Sequence, residues 1–134
     1  MREILFRGID EGTNEWVYGY YYEKLSDFGG EKRYYIFDDK TISKYNVLPE
    51  TVGQYTGLTD KNGKKIFEGD IVDCWSEGVN AQGTVQQRRD GLWIIYPAWQ
   101  KHIMWGLCPD EYSHTTVEVI GSIHDNPELL KGGE

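Results

Sequence analysis

The stretch that decides the fold is Thr59-Asp60-Lys61-Asn62-Gly63-Lys64-Lys65, which continues directly into Ile66-Phe67-Glu68-Gly69-Asp70-Ile71-Val72. An aspartate, an Asn-Gly pair and lysines between two apolar pieces are typical of a tight β-hairpin turn. The following Glu-Gly-Asp sequence is typical of a second turn, in which the aspartate accepts backbone N–H groups before a hydrophobic strand begins. The stretch therefore predicts two hairpin strands, a tight turn and a third strand. We interpret its turn residues as structural: Gly57, Asp60, Asn62, Gly63, Glu68, Gly69 and Asp70.

Strand patterns continue on both sides of this stretch. Upstream, Gly12-Thr13-Asn14 is a turn between a strand at Ile4 and Phe6 and a strand over 16–22. Downstream, alternation predicts strands near 71–75, 83–86, 92–96 and 115–120, and such short, evenly spaced strands are typical of a small barrel or sandwich. The chain is therefore predicted to be mainly β.

The tail differs from the rest of the chain. Asp125 or Asn126 before Pro127 is a helix-start signal, so a short C-terminal helix is predicted, with Leu129 and Leu130 packed on the sheet. A weak boundary near Pro49 divides an N-terminal aromatic-rich β-sheet portion (residues 1–49) from a C-terminal barrel with its short terminal helix (residues 50–134). The alternative is one compact unit in which the two parts share strands.

Size and charge exclude several classes of protein. A chain of 134 residues is too short for a multi-module enzyme. Its net charge of −8 repels nucleic acid and anionic lipid over most of the surface. The two cysteines, Cys74 and Cys108, are too few for a disulfide scaffold, and the N-terminus has no apolar signal region. We expect a cytoplasmic protein without a membrane partner.

Candidate metal ligands do not form a motif. His102, His114 and His124 lack the spacing of a zinc site. Asp60-Lys61-Asn62-Gly63 superficially resembles the start of a calcium loop, but the glycine and the final glutamate of such a loop are not at the required positions. We therefore expect no metal and no cofactor.

Catalytic candidates are equally weak. Glu68 and Asp70 flank Gly69, but nothing near them predicts the desolvation that would raise the pKa of one carboxyl for acid-base work. No serine lies in a nucleophile elbow. We expect that the protein is not an enzyme.

Nucleic-acid binding is a weaker alternative. The hairpin lysines Lys61, Lys64 and Lys65, together with Arg88 and Arg89, could form a local basic patch, yet no third of the chain is net basic. An acidic decoy of DNA is also disfavoured, because the carboxylates occur as isolated pairs.

Aromatic residues are the positive signal for binding. Alternation places Tyr18, Tyr20 and Tyr22 on one face of a strand, and Trp99 and Trp105 add further large rings. Exposed aromatic rings favour protein association, so these five residues are the candidate interaction surface. The alternative, that the rings fill a thin core, remains open.

Three stretches together resemble one family. They are the Ile4-x-Phe6-Arg7-Gly8 start, the central segment from Gln54 to Val72, and the ending from Val119 to Leu130. In their order and positions they resemble the YopX family of phage and prophage proteins. Ser122 and His124 stand where many relatives would have Asn and Tyr.

The resemblance implies a mostly β fold with an SH3-like barrel in the C-terminal part, a phage or prophage origin and no established activity. It names no catalytic residue. The leading hypothesis is a non-enzymatic accessory protein in the cytoplasm of the host bacterium, which binds a phage or host protein or a second copy of itself.

Overall fold

The computed structural model describes residues 3–26, 29–76, 79–97, 105–107 and 110–130. The chain divides into two compact units, Met1–Tyr55 and Thr56–Glu134. Both are built from antiparallel strands, which confirms the mainly β prediction. The strands, in chain order, are β1 (Phe6–Ile9), β2 (Trp16–Leu25), β3 (Lys32–Asp38), β4 (Ser43–Asn46), β5 (Gly53–Thr59), β6 (Lys65–Phe67), β7 (Asp70–Ser76), β8 (Val79–Gln87), β9 (Trp93–Pro97), β10 (Trp105–Gly106) and β11 (Glu118–Ser122).

β1 to β4 and the start of β5 lie in the first unit, within a sheet whose six strands have the order β4-β3-β2-β1-β5-β6. An isolated bridge between Asp10 and Val47 joins the chain just after β1 to the chain just after β4. Ile36 and Val47 of this unit are almost completely buried. Gly8 lies against both, since an added Cβ there would come within 3.2 Å of Val47 and 3.3 Å of Ile36.

A 3₁₀ helix over Pro49–Thr51 leads the chain from β4 back to β5. Thr51 Oγ1 accepts a hydrogen bond from Ile9 N–H at 2.8 Å and donates one to Leu48 C=O at 2.6 Å. This buried hydroxyl ties the helix to β1, so the turn is held by a side chain as well as by the backbone.

The second unit contains a five-stranded sheet in the order β10-β9-β8-β7-β11. Buried side chains from these strands and the adjoining loops form its core: Ile66, Val72, Cys74, Val85, Trp93, Ile95, Leu107 and Val117. The sheet ends at β10 on one side and at β11 on the other, and no strand pairing closes it within the described part of the chain. The predicted SH3-like barrel is therefore not confirmed.

The tail forms a 3₁₀ helix over Pro127–Leu130. It begins at Pro127 as predicted, but it is a 3₁₀ segment of four residues, and the predicted short C-terminal helix is not confirmed. Ser122 Oγ accepts the N–H groups of His124 and Asp125, which organises the turn before it. The side chains of Leu129 and Leu130 lie outside the described set, so their predicted packing stays a prediction.

Candidate functional site

The central stretch forms the hairpin that the sequence predicts, and Asp60 holds it together. This residue is only 1% exposed. Its Oδ1 accepts N–H groups from Asn62 and Lys64, both at 2.9 Å, and its Oδ2 accepts Val119 N–H at 3.0 Å. A carboxylate that receives three backbone donors is engaged in architecture, because those donors would otherwise be unsatisfied.

The turn of this hairpin recurs later in the second unit. Asp110 Oδ1 accepts the N–H groups of Tyr112 and His114 at 2.8 and 3.0 Å, in the same pattern as Asp60. These two bonds hold the pKa of the exposed Asp110 below its usual range, with the bond from His114 contributing most. Asp60 is buried and has a third donor, whereas Asp110 is exposed and accepts two N–H groups. We therefore expect the Asp60 turn to contribute more to the stability of the fold.

The second turn of the stretch is also structural. Asp70 is buried, and its Oδ2 accepts Phe67 N–H at 2.8 Å. Between them Gly69 has a φ of 89°, a value that glycine adopts without strain. Its N–H donates to Val85 C=O and its C=O accepts Ile123 N–H, both at 2.9 Å. Glu68 is exposed, so Glu68 and Asp70 do not share a desolvated site.

The hairpin lysines lie at the surface. Lys61 forms an ion pair with Glu118 at 3.6 Å, and Asn62 Nδ2 donates to the same carboxylate at 3.4 Å. Lys64 and Lys65 are exposed. The charge of Lys61 is thus partly offset by Glu118 on the neighbouring strand.

Three tyrosines of the first unit lie on its outer face. Tyr18, Tyr20 and Tyr22 alternate along β2, as the sequence predicts, and their side chains are 44%, 50% and 37% exposed. Residues two apart on a strand are separated by about 6.6 Å, so the three rings form a row along the sheet. The alternative reading, that these rings fill the core, is wrong for this row.

The neighbouring strand completes an aromatic surface. The register places Tyr35 opposite Tyr22 and Phe37 opposite Tyr20 on β3. The rings of Tyr22 and Tyr35 stack with their centroids 5.1 Å apart and an interplanar angle of 25°. We call the set Tyr18, Tyr20, Tyr22, Tyr35 and Phe37 the tyrosine face.

Cations border the tyrosine face. The Nζ atom of Lys44 on β4 lies 4.8 Å from the centroid of the Tyr35 ring, a cation–π contact. Next to the stacked tyrosines, Lys24 on β2 lies directly opposite Arg33 on β3. We call these three residues the cation rim.

The near end of the same face also carries a cation. Arg7 on β1 is opposite Tyr18, and its guanidinium lies 4.3 Å from the centroid of the Trp16 ring. Arg7 is buried and Trp16 is half-buried. Trp16 therefore serves as packing for a buried arginine, which explains why it is less accessible than the three tyrosines that follow it.

Carboxylates of β2 and β3 lie on the other face. Glu23, between Tyr22 and Lys24, forms an ion pair with Lys32 at 2.8 Å and accepts the Tyr21 hydroxyl at 3.0 Å. Lys32 and Tyr21 hold the pKa of Glu23 below its usual value. Burial, reinforced by Glu23, raises the pKa of Tyr21 to about 12. Tyr21 packs on Phe6, at 5.8 Å between ring centroids.

Gly19 lets β2 pass close to β3 in the middle of the tyrosine row. A Cβ at this position would lie 2.1 Å from the carbonyl oxygen of Phe37 and 2.7 Å from its carbonyl carbon. No larger residue fits there without displacing the backbone. The alternation of tyrosines around a glycine thus has a steric basis.

Several candidates named from sequence lie outside the described residues. They are Trp99, His102 and Cys108, together with the side chain of Trp105. Cys74 is described, and it is a core residue whose pKa burial raises to about 11. Among the described residues, no group of three or more His, Cys, Asp or Glu side chains is placed to hold a metal ion.

Sequence reasoning missed the cation rim and Phe37. Alternation along 33–37 points Arg33, Tyr35 and Phe37 to one side, which is the available signal. It does not tell which side faces outward, because that depends on pairing with β2.

Within the described chain, no helix has the length and apolar character needed to cross a bilayer.

Comparisons with known proteins give a family and a fold. A family model described as YopX protein matches residues 5–131. Among solved structures, the chain is similar to one described as the crystal structure of protein EF1440 from Enterococcus faecalis, with 21% identity, a TM-score of 0.51 and coverage of 97% of this chain and 99% of that chain. At this identity the likeness shows a shared fold alone. No curated protein sequence is significantly similar to the chain.

Proposed function

The chain belongs to the YopX protein family, which the family model matches over residues 5–131, and on that premise we propose that it is a non-enzymatic accessory protein of a bacteriophage or prophage that acts by binding another protein. The partner is a phage or host protein in the bacterial cytoplasm, or a second copy of the chain. The binding surface is the tyrosine face of the first unit.

The observation that carries this proposal is the exposed tyrosine row. Tyr18, Tyr20 and Tyr22 lie on one sheet face, where Tyr18 is paired with β1 and Tyr20 and Tyr22 are paired with β3. Tyrosine supplies a large, rigid contact area at a low cost in conformational entropy, and it is enriched among residues that dominate binding energies. An exposed aromatic patch with a charged border has the composition of a protein interface.

The central stretch supports a non-enzymatic role. Its carboxylates Asp60 and Asp70 accept backbone N–H groups, so the residues that make the sequence recognisable are used to form turns. The nucleic-acid alternative through the hairpin lysines has less support, because Lys61 is paired with Glu118. The SH3-like barrel stays a prediction for the complete C-terminal part.

The experiment is recovery of the partner from cells that carry the phage. Tagged protein is cross-linked and purified, and bound proteins are identified by mass spectrometry for the wild type and for a variant with Tyr20→Ser and Tyr22→Ser. Tyr20 and Tyr22 lie at the surface, so we expect the substitutions to preserve the fold, which circular dichroism checks, and to reduce recovery about tenfold or more. Tyr112→Ser is the matched control, because this ring is 74% exposed but belongs to the second unit.

Equal recovery of the same proteins by the wild type and the double variant would contradict the proposal. If Tyr112→Ser loses the partner and the double variant keeps it, the binding surface lies on the second unit. Recovery of the chain itself, with the same dependence on the two tyrosines, would identify the partner as a second copy.

A further inference from the structure

We propose that the tyrosine face takes an acidic polypeptide segment, whose carboxylates bind the Lys24–Arg33 pair and Lys44 while its apolar side chains lie on Tyr20 and Tyr22. This inference rests on the proposed function and adds the chemistry of the partner. Its basis is the placement of charge on the two faces of one sheet.

The two faces of β2 and β3 differ in sign. On the outer face, β2 contributes tyrosines and Lys24, and β3 contributes Arg33, Tyr35 and Phe37. The carboxylates of these strands, Glu23 and Asp38, alternate with those residues and belong to the other face. In a chain of net charge −8, the paired residues of β2 and β3 on this face include Lys24 and Arg33 and no carboxylate, and the nearest one, Glu31, lies just before β3 and contacts Arg33.

The Lys24–Arg33 pair is the second observation. Like charges directly opposite each other on adjacent strands destabilise a sheet, and their Cβ atoms are about 5 Å apart. Lys24 has no ion-pair partner within the described chain, and Arg33 has only the exposed Glu31, at 3.9 Å. An exposed pair of that length contributes little. A carboxylate bound between the two cations relieves their repulsion, so the arrangement favours an anionic partner.

The aromatic rings lie at the centre of this surface, and the cations lie at its edges. Tyr22 and Tyr35 stack on each other, Lys44 lies over Tyr35, and the Lys24–Arg33 pair is the next row along the strands. A partner segment running along β2 for about seven residues would span some 20 Å, which is enough to reach from Tyr18 to Lys24. Apolar side chains fit the rings, and carboxylates at the two margins fit the cations.

A protein segment is favoured over a single-stranded nucleic acid. Aromatic residues and arginine are enriched at the centre of protein interfaces. A nucleic acid carries a phosphate at every nucleotide and depends on an extended positive field. Here the cation rim has three members on a chain that is strongly acidic overall.

The test is selection from a display library of random peptides of about twelve residues, a length that covers the row of tyrosines. Selections are run in parallel on the whole wild-type chain and on a variant with Lys24→Glu, Arg33→Glu and Lys44→Glu. The wild type is expected to enrich Asp and Glu about twofold or more over the starting library, together with apolar residues. The charge-reversed variant is expected to lose that enrichment and to favour Lys and Arg.

Two further variants separate the inference from the proposed function. The pair Tyr20→Ser and Tyr22→Ser tests whether selected peptides use the tyrosine face, and Lys61→Glu, Lys64→Glu and Lys65→Glu is the matched charge control in the second unit. Selected acidic peptides are expected to bind the Lys61 series as they bind the wild type and to bind the tyrosine variant about tenfold more weakly. Circular dichroism confirms that each variant is folded.

The unfavourable outcomes are distinct. Peptides that need the tyrosines but show no acidic enrichment overturn the inference and leave the proposed function standing. Peptides that bind the tyrosine variant as well as the wild type, or a selection without enrichment, overturn both. A third outcome is that an oligothymidylate of similar length binds more tightly than any selected peptide and depends equally on Lys24 and Arg33. The partner would then be a nucleic acid, and the inference would be overturned.

Discussion

The tyrosine face of the first unit and the Asp60 hairpin of the second use their polar and aromatic side chains in opposite ways. In the hairpin, a buried carboxylate is occupied by three backbone donors. On the tyrosine face, three rings of one strand extend into solvent beside two opposed cations. The central stretch therefore uses its carboxylates to form turns, whereas the tyrosine face, which we propose for binding, leaves its rings accessible.

The largest expected effect is on stability, at Asp60. Asp60→Ala removes the acceptor of three backbone N–H groups, and we expect a loss of about 3–5 kcal/mol in the free energy of unfolding. Urea unfolding followed by tryptophan fluorescence measures it. Asp110→Ala is the matched control, because that carboxylate accepts two N–H groups in the same geometry but is exposed. Similar urea midpoints for the two variants would show that the buried carboxylate contributes no more to stability than the exposed one, which would contradict the prediction.

The second effect concerns the backbone beneath the tyrosine face. Gly19→Ala places a Cβ against the carbonyl of Phe37, and we expect a loss of about 2 kcal/mol because β2 and β3 must separate. Gly29→Ala is the control, since nothing lies within 4 Å of its added Cβ. Thermal unfolding of the two variants distinguishes them. A Gly19→Ala variant as stable as the control would show that a methyl group fits between β2 and β3 at this position, which would contradict the prediction.

A gain in stability is expected at the turn between β3 and β4. Ile42 has a φ of 54° and is 79% exposed, so a β-branched residue occupies a left-handed conformation without burying its side chain. Asn adopts this region more readily, and Ile42→Asn should stabilise the protein by about 0.5–1 kcal/mol. Calorimetry would show this as a rise in melting temperature. An unchanged or lower melting temperature would show that Ile42 contributes contacts that offset its strain.

The smallest effect is on the pH dependence of stability. Burial raises the pKa of Tyr21 to about 12 in the folded protein, against an ordinary value of 10.0. The unfolded chain therefore loses this proton first, so the stability that Tyr21 contributes is complete below pH 10 and falls as the pH rises towards 12. Urea midpoints measured across this range should fall less steeply in Tyr21→Phe than in the wild type. Parallel curves for the two proteins would contradict the assignment.

Local sequence was sufficient for the elements that are set by turn chemistry. The hairpin at Asp60 and the turn before Asp70 follow from residues that are adjacent in the chain, and both are present. The alternation of tyrosines along β2 likewise predicted their common face, because the period of a strand is two residues.

Features that depend on distant pairing were not predictable. The third donor to Asp60 comes from Val119, 59 residues away. The opposition of Lys24 and Arg33 requires the register of β2 with β3, which no local pattern determines. Closure of the second sheet depends on the partners of its edge strands. The strand spacing therefore suggested a barrel or a sandwich, and the family resemblance an SH3-like barrel, whereas no pairing closes the sheet among the described strands.

The most direct test of the account compares binding and stability in the same two variants. For Tyr20→Ser with Tyr22→Ser, and separately for Asp60→Asn, the urea midpoint and the recovery of the cellular partner are measured at a temperature at which both remain folded. We predict that the tyrosine variant keeps its midpoint and loses the partner, while the Asp60 variant loses stability and keeps the partner. The reverse pattern, with binding lost through Asp60 and kept without the two tyrosines, would contradict the division of roles between the two units.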